Sequence, residues 1–318
     1  PLFFSTHKPA SAMLRSLVGS EMCIRDRLIT GEYFVLNGAL SLAVPTVYGQ
    51  YLEIKDNDSN IINWTSYNKN KEIWFKCELD KDSLKVKYSS SKEVSEIIKE
   101  LISFIREKES NFLKSNGSII NTELTFDKDW GLGSSSTLIN NLSKFSGVDP
   151  YELNTKFFNG SGYDIACADS SSSLLYRLND DKKEIKKIKF KPSFRDKLHF
   201  IYLKKKQNSL DEIKSFREKV NSKIGISEIS DITKRIIICK DQLEFNSLIK
   251  EHEDIVSRLI SKEKIKDKLF NDFDGEIKSL GAWGGDFILA SALDKNPTDY
   301  FKSKGFNTVL NFNELALV

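Results

Sequence analysis

Along this chain the apolar positions first fall in short β-prone runs and later recur at helical spacing. Leu28 to Leu36 predicts a strand that stops at the Asn37-Gly38 turn. Val47–Lys55, Ile61–Thr65, Glu72–Leu79 and Leu84–Tyr88 read as further strands separated by polar turns. Val94, Ile97, Ile98, Leu101, Ile102 and Ile105 share one helical face, so an amphipathic helix is expected from Lys92 to about Leu113. Ser118–Phe126 is a strand, a Gly-Ser stretch opens a helix from Ser134 to Phe145, and Asp149-Pro150 starts another helix. Ser171–Leu178 is a strand, followed by a lysine-rich hairpin to Lys191. Pro192–Asp196 is the expected boundary between two domains, 28–192 and 193–318. Beyond it come the strand Leu198–Leu203, charged amphipathic helices between Ser209 and Asp272, and a strand pair, Glu276–Ala282 and Phe287–Leu293. A helix from Pro297 and the strand Thr308–Phe312 finish the chain. Strands come first and mixed elements follow, which predicts an α+β class.

Composition narrows the function. No apolar run approaches the roughly 20 residues of a membrane span. A net charge of +3, with lysines interspersed among acids, gives no footprint for nucleic acid. Cys23, Cys77, Cys167 and Cys239 lack CxxC spacing, which fits a reduced, cytoplasmic protein without structural zinc. With His7, His199 and His252 the only histidines, a Ser-His-Asp or histidine-metal mechanism is poorly supplied.

Residues 1–27 stand apart from the rest. They hold both methionines and three of the nine arginines, but one of the 39 lysines. Ser16–Arg27 resembles a recurrent artefact at the ends of translated sequencing reads. The segment reads as non-native, poorly packed except where 24–27 extends the first strand; a native disordered tail is the alternative. Without it the net charge is about +1.

Four short segments carry candidate chemistry. Gly131-Leu132-Gly133-Ser134-Ser135-Ser136-Thr137 follows a strand and precedes a helix. Glycines let a backbone approach a polyphosphate, free N–H groups at a helix start attract anions, and serine hydroxyls reach phosphate or Mg²⁺. A Gly-Ser turn with an N-cap serine reads similarly. Gly160-Ser161-Gly162-Tyr163-Asp164-Ile165-Ala166 presents one carboxylate at the start of an apolar segment, fit to accept a hydroxyl proton or to cap a helix. Gly281-Ala282-Trp283-Gly284-Gly285-Asp286 joins two apolar runs, as a phosphate-side glycine loop or as a bulged hairpin. Gly31-Glu32 puts a carboxylate in an apolar run, where a structural ion pair and a ligand contact compete.

Together and in order, these segments resemble the GHMP kinases, named for galactokinase, homoserine kinase, mevalonate kinase and phosphomevalonate kinase, over Leu28 to Val318. Ile29 to Leu36 resembles the family's first motif. Gly131 to Ser135 resembles its central phosphate loop, and Gly281 to Gly285 resembles its C-terminal glycine motif. Gly162-Tyr163-Asp164-Ile165-Ala166 spells the signature of the subgroup called GYDIA, which is similar to mevalonate kinases. The resemblance implies a two-domain α+β GHMP kinase fold, with an N-terminal domain like domain 2 of ribosomal protein S5 and a ferredoxin-like C-terminal domain. The active site is expected in the cleft between them. It implies ATP and Mg²⁺ as cofactors, Asp164 as the catalytic carboxylate and Ser135 as a metal and phosphate ligand. Gly131, Leu132, Gly133, Ser134, Ser136, Gly281, Trp283, Gly284 and Gly285 are expected at the nucleotide, and Glu32, Gly162 and Tyr163 at the substrate. The expected partner is a small molecule, with mevalonate favoured; a homodimer is compatible. Diphosphomevalonate decarboxylase, phosphomevalonate kinase and a non-catalytic binding protein are the rival readings. Three positions depart from the family pattern. The family's lysine before the first motif falls on Asp26, a proline before the central loop falls on Asp127, and the second acidic Mg²⁺ ligand falls on Leu153, with Glu152 beside it.

Overall fold

The computed structural model describes residues 19–131, 134–158, 160–179, 182–205, 216, 224–281, 283, 285–293 and 296–317, the side chains of 19 and 24–26 excepted. In chain order the elements are β1 (Gly19–Thr30), a 3₁₀ turn (Phe34–Asn37), β2 (Ser41–Asn57), β3 (Ile61–Tyr67), β4 (Ile73–Asp80) and β5 (Val86–Ser89). Helix α1 (Lys92–Lys108), β6 (Gly117–Leu124), a 3₁₀ turn (Lys128–Trp130), α2 (Ser134–Ser146), α3 (Pro150–Phe157) and α4 (Tyr163–Ala168) follow. Then come β7 (Ser173–Asn179), β8 (Lys182–Ile188), β9 (Leu198–Tyr202), α5 (Ile226–Ile238), α6 (Gln242–Ile260) and α7 (Ile265–Leu269). The strands β10 (Gly275–Leu280) and β11 (Phe287–Ala292), α8 (Thr298–Ser303), β12 (Val309–Asn311) and α9 (Phe312–Leu315) end the chain.

Two compact units interleave along the sequence. The first comprises 1–23, 50–126 and 138–153; the second comprises 24–49, 127–137 and 154–318. The expected boundary at Pro192–Asp196 lies inside the second. In the first unit β3 pairs antiparallel with β4 and parallel with β6, and β6 pairs antiparallel with the second half of β2. Alternation along β3 buries Ile62, Trp64 and Ser66 and leaves their neighbours part-exposed, the period of a half-buried strand. In the second unit β7 pairs with the first half of β2 and with β8. A separate antiparallel sheet has the order β10-β11-β9-β12. Its core gathers Ile201, Ile277, Ile288 and Ala290 with Phe270, Phe273 and Phe301.

Three sequence expectations are corrected. The apolar run 28–36 is not one strand, because β1 stops at Thr30 and Gly31 turns the chain at φ 92°. The amide of Val35 donates to the Gly31 carbonyl, so Phe34 and Val35 reach the core from a 3₁₀ turn instead. Helix α1 ends at Lys108, since Arg106 donates to the carbonyls of Phe112 and Leu113, both at 2.8 Å, and folds 109–113 back on the helix end. Residues 19–27, expected to pack poorly before 24, form most of β1. Cys23 is fully buried, Arg27 is buried, and Glu21 lies 3.7 Å from Lys144.

Candidate active site

The motif residues that the structure describes lie in the second unit. The central loop begins at Gly131, which leaves the 3₁₀ turn at φ 57°. Its entrance is fixed by an aromatic box. Trp130 meets Tyr48 at 5.3 Å and Phe287 at 5.6 Å between ring centroids, and the Tyr202 hydroxyl donates to the Asp129 carbonyl at 2.6 Å. Arg27 donates to the Trp130 carbonyl at 3.2 Å and lies 4.4 Å over the Phe287 ring. A Cβ added to Gly131 would stand 2.1 Å from a carboxylate oxygen of Asp286, so this position admits no side chain without movement. The loop's start therefore meets the end of the C-terminal glycine motif. Burial, with the charges of Asp129, Asp286 and Asp127, raises the pKa of the Tyr202 hydroxyl.

Ser134 opens α2 and is exposed, Ser135 is half-buried, and Ser136 and Thr137 are buried, with the Thr137 hydroxyl donating to the Ser134 carbonyl. The first turn of a 13-residue helix thus presents amides and hydroxyls next to a glycine turn. Leu132, Gly133, Ala282 and Gly284 lie outside the described residues.

Asp164 is not the helix cap that its sequence context allowed. Gly162 occupies the N-cap of α4 at φ 79°, Tyr163 follows, and Asp164 is the second helical residue, half-buried. An acid in a first turn sits favourably in the helix dipole. The Tyr176 hydroxyl donates to the Ser161 carbonyl at 2.5 Å, and Ile165, Cys167 and Ala168 are buried, which fixes the turn that carries Asp164. Tyr163 packs at the edge of a cluster that contains Leu28, Val35 and Tyr176.

Glu32 is placed differently. It is 2% exposed, and its Oε1 accepts from Lys278 Nζ at 2.7 Å. Lys278 is fully buried and lies 3.6 Å from Oε1 of Glu253. His252 Nε2 accepts the Gly31 amide at 3.1 Å. The neutral tautomer consequently carries its proton on Nδ1, which faces Glu253 Oε1 at 3.9 Å. Burial and the Lys278 charge hold the imidazole well below its ordinary pKa. Burial raises Glu32 against the opposing pull of Lys278, and raises Glu253 to about 7. Lys278, His252 and Glu253 escaped the sequence reading. The local sequence offered little signal, since Lys278 stands in the mixed run Glu276-Ile277-Lys278-Ser279-Leu280.

Of the remaining motif residues, Trp283 is buried and donates its amide to the Tyr33 hydroxyl at 2.7 Å and its indole N–H to the Glu263 carbonyl at 3.0 Å. Gly281 takes φ 69°, Gly285 is buried, and Asp286, buried at φ 38°, ends the loop. In the first unit Glu152 pairs with Lys108 at 2.8 Å on the surface, while Leu153 is fully buried. Among the described residues there is no group of three or more His, Cys, Asp or Glu that could hold a metal, and no helix long and apolar enough to cross a membrane.

No protein-family model matches the chain, and no curated protein matches it in sequence. Solved structures do match it. Methanococcus jannaschii mevalonate kinase is 16% identical over 95% of this chain and 98% of that one, with a TM-score of 0.67. Streptococcus pneumoniae phosphomevalonate kinase, in complex with phosphomevalonate and AMPPNP, is 15% identical over 92% and 99%, also with a TM-score of 0.67. Lactococcus lactis galactokinase complexed with galactose is 12% identical over 97% of each chain, with a TM-score of 0.65. These likenesses establish a mixed α+β fold of the GHMP kinase type.

Proposed function

We propose that this chain, which has the fold of those kinases, is an ATP-dependent kinase that phosphorylates a small metabolite. The observation that carries the reading is the presence, within one unit, of a serine-rich helix start following Gly131 and of a half-buried carboxylate at Asp164 on the first turn of α4. The helix start suits a nucleotide polyphosphate, since the first turn of α2 offers amides and the hydroxyls of Ser134 and Ser135. Mg²⁺ takes one or two protein oxygens together with substrate phosphates, a demand that the Ser135 hydroxyl and the Asp164 carboxylate match in kind. When bound, the ion supplies charge neutralisation on the phosphates. The Gly281–Asp286 loop, whose end meets Gly131, closes the nucleotide side.

In this reading Asp164 is the catalytic carboxylate, and its half-buried place on the first turn of α4 supports that role. Its carboxylate orients the acceptor hydroxyl and takes its proton as the oxygen bonds to the γ-phosphorus and the bond to the ADP oxygen breaks. Gly162 and Tyr163 set the position of that carboxylate and face the acceptor side.

The acceptor we favour is mevalonate, one carboxylate and a free hydroxyl. An acceptor already bearing phosphates calls for guanidinium groups, and four of the arginines beyond residue 27 are engaged elsewhere. Arg106 binds carbonyls, Arg195 binds Asn313, Arg235 pairs with Glu251, and Arg258 lies near Glu228. Phosphomevalonate and diphosphomevalonate are the alternatives, the latter with decarboxylation. The test supplies the protein with MgATP and, separately, mevalonate, phosphomevalonate and diphosphomevalonate. ADP and phosphomevalonate formed from mevalonate are expected. ADP release with the diphosphate alone, accompanied by CO₂, overturns the kinase reading.

A further inference from the structure

Gly31, Glu32 and Tyr33 are consecutive, yet each is bound to a different C-terminal element. The Gly31 amide donates to His252 on α6, Glu32 accepts from Lys278 on β10, and the Tyr33 hydroxyl accepts from the Trp283 amide inside the glycine loop. Gly31 permits this by its φ of 92°, and a Cβ there would stand 2.0 Å from Ser41 Oγ. The Tyr33 ring stacks on Phe216 at 5.3 Å, which aims the hydroxyl.

Among the described residues the loop that receives these contacts is held at its end, where the Asp286 amide donates to the Lys205 carbonyl at 2.8 Å and its carbonyl accepts from Leu203 at 2.7 Å, while in its middle Trp283 is held by its indole contact to Glu263 and by Tyr33. Between the paired ends Leu280 and Phe287 it contains three glycines, and its first and last residues both have positive φ. Lys278 anchors its entrance from two residues away, donating to the Ser279 carbonyl at 3.0 Å as well as to Glu32, and the Ser279 amide donates to Glu253 at 3.0 Å. Replacing a buried charge network by apolar residues of the same shape is often neutral or stabilising, so this one is weak evidence of stability. What the charges add is one geometry, because every donor must meet its acceptor.

We propose that Gly31-Glu32-Tyr33, with Lys278, is a positioning device that holds the 281–286 loop where a nucleotide polyphosphate binds, without touching the nucleotide. The inference rests on the nucleotide reading of that loop. Glu32 thereby acts from inside the core, and the substrate contact expected of it from the motif is replaced by a tether.

Two variants of the full chain test this by steady-state kinetics and thermal denaturation. Tyr33→Phe keeps the ring stack and removes the acceptor of the Trp283 amide. Glu32→Gln combined with Lys278→Met removes both charges and keeps their shape. For each, KM for MgATP is expected to rise at least about fivefold, the low end for orphaning a buried donor, while kcat and KM for the acceptor stay as in the parent. A purely structural role would loosen nucleotide and acceptor sites alike or neither. Parent-like KM for MgATP in folded variants, or equal losses for both substrates, overturns the proposal. If the double variant does not fold, Tyr33→Phe decides. A parent that shows no MgATP binding by calorimetry removes the kinase reading and this inference with it; a parent that binds, with variants that bind equally, removes this inference alone.

Discussion

Glu32 and Asp164 are introduced in the same way, by a glycine at positive φ: Gly31 at 92° immediately before the one, Gly162 at 79° two residues before the other. Their surroundings differ. Glu32 is sealed in the core against Lys278, with Glu253 and His252 behind it. Asp164 stands half-buried on the first turn of α4. One glycine-acid signature therefore occurs in two settings, a carboxylate sealed in an ion pair and a carboxylate half-exposed on a helix turn. Burial separates them, because a fully desolvated carboxylate needs a permanent cation while a half-exposed one is still partly solvated by water.

The largest effect that separates the two regions concerns the tether. Lys278→Met alone leaves Glu32 and Glu253 buried without their cation, and breaking a buried pair from one side costs about 3–5 kcal/mol. Urea denaturation should show a loss of that order. Asp164→Asn, at a half-buried position, should shift the urea midpoint far less. A midpoint shift for Asp164→Asn as large as that for Lys278→Met would erase the distinction.

The next effect runs the other way. Asp164→Asn should lower kcat at least about 10²-fold, the lower range for a positioned acid–base group, with little change in KM for MgATP. Glu32→Gln should leave kcat per folded molecule near the parent's. Near-normal turnover in Asp164→Asn would remove it from the chemistry.

How these regions looked in the sequence explains what was legible. The loop at 131–137 and the turn at 160–166 are local devices, so their glycines and the residues beside them announce them. Helix α1 and the strands β3, β4 and β11 were legible because their apolar spacing is local too. The tether was not. Its two halves are separated by more than 200 positions, and Lys278 and Glu253 each look like one more charge in a lysine- and glutamate-rich chain. The apolar run 28–36 misled because burial, not strand geometry, is what it encodes; Gly31 converts it into a turn without exposing Phe34 or Val35. Arg27, set aside with its segment on composition, lies against Trp130 and Phe287 at the entrance of the central loop.

The smallest expected effect tests whether the tether's charges are coupled as its geometry requires. Glu253 is raised to about 7 from 4.5, chiefly by burial, and Glu32 is raised in the same direction. Groups raised on folding give stability that is full below the unfolded pKa and lost as pH climbs through the folded one, so Glu253 weakens the fold from about pH 4.5 towards 7 and Glu32 acts in the same direction above 4.5. His252 is lowered well below 6.5, so its contribution is full above 6.5 and lost as pH falls. Below about pH 6.5 the histidine and Glu253 therefore act in opposite directions, and the parent's dependence on this cluster is a partial cancellation. Lys278 is the remaining charged group of the cluster. Glu253→Gln removes one descending contribution, and stability should then rise with pH up to 6.5 more steeply than in the parent. His252→Gln, whose amide oxygen can still accept the Gly31 N–H, should do the reverse and make stability fall faster from 4.5 to 7. Urea denaturation across pH 4.5–8 measures both. Curves that run parallel to the parent's would mean that the cluster's protonation does not change on folding, and the buried tether would then have to be a set of independent contacts.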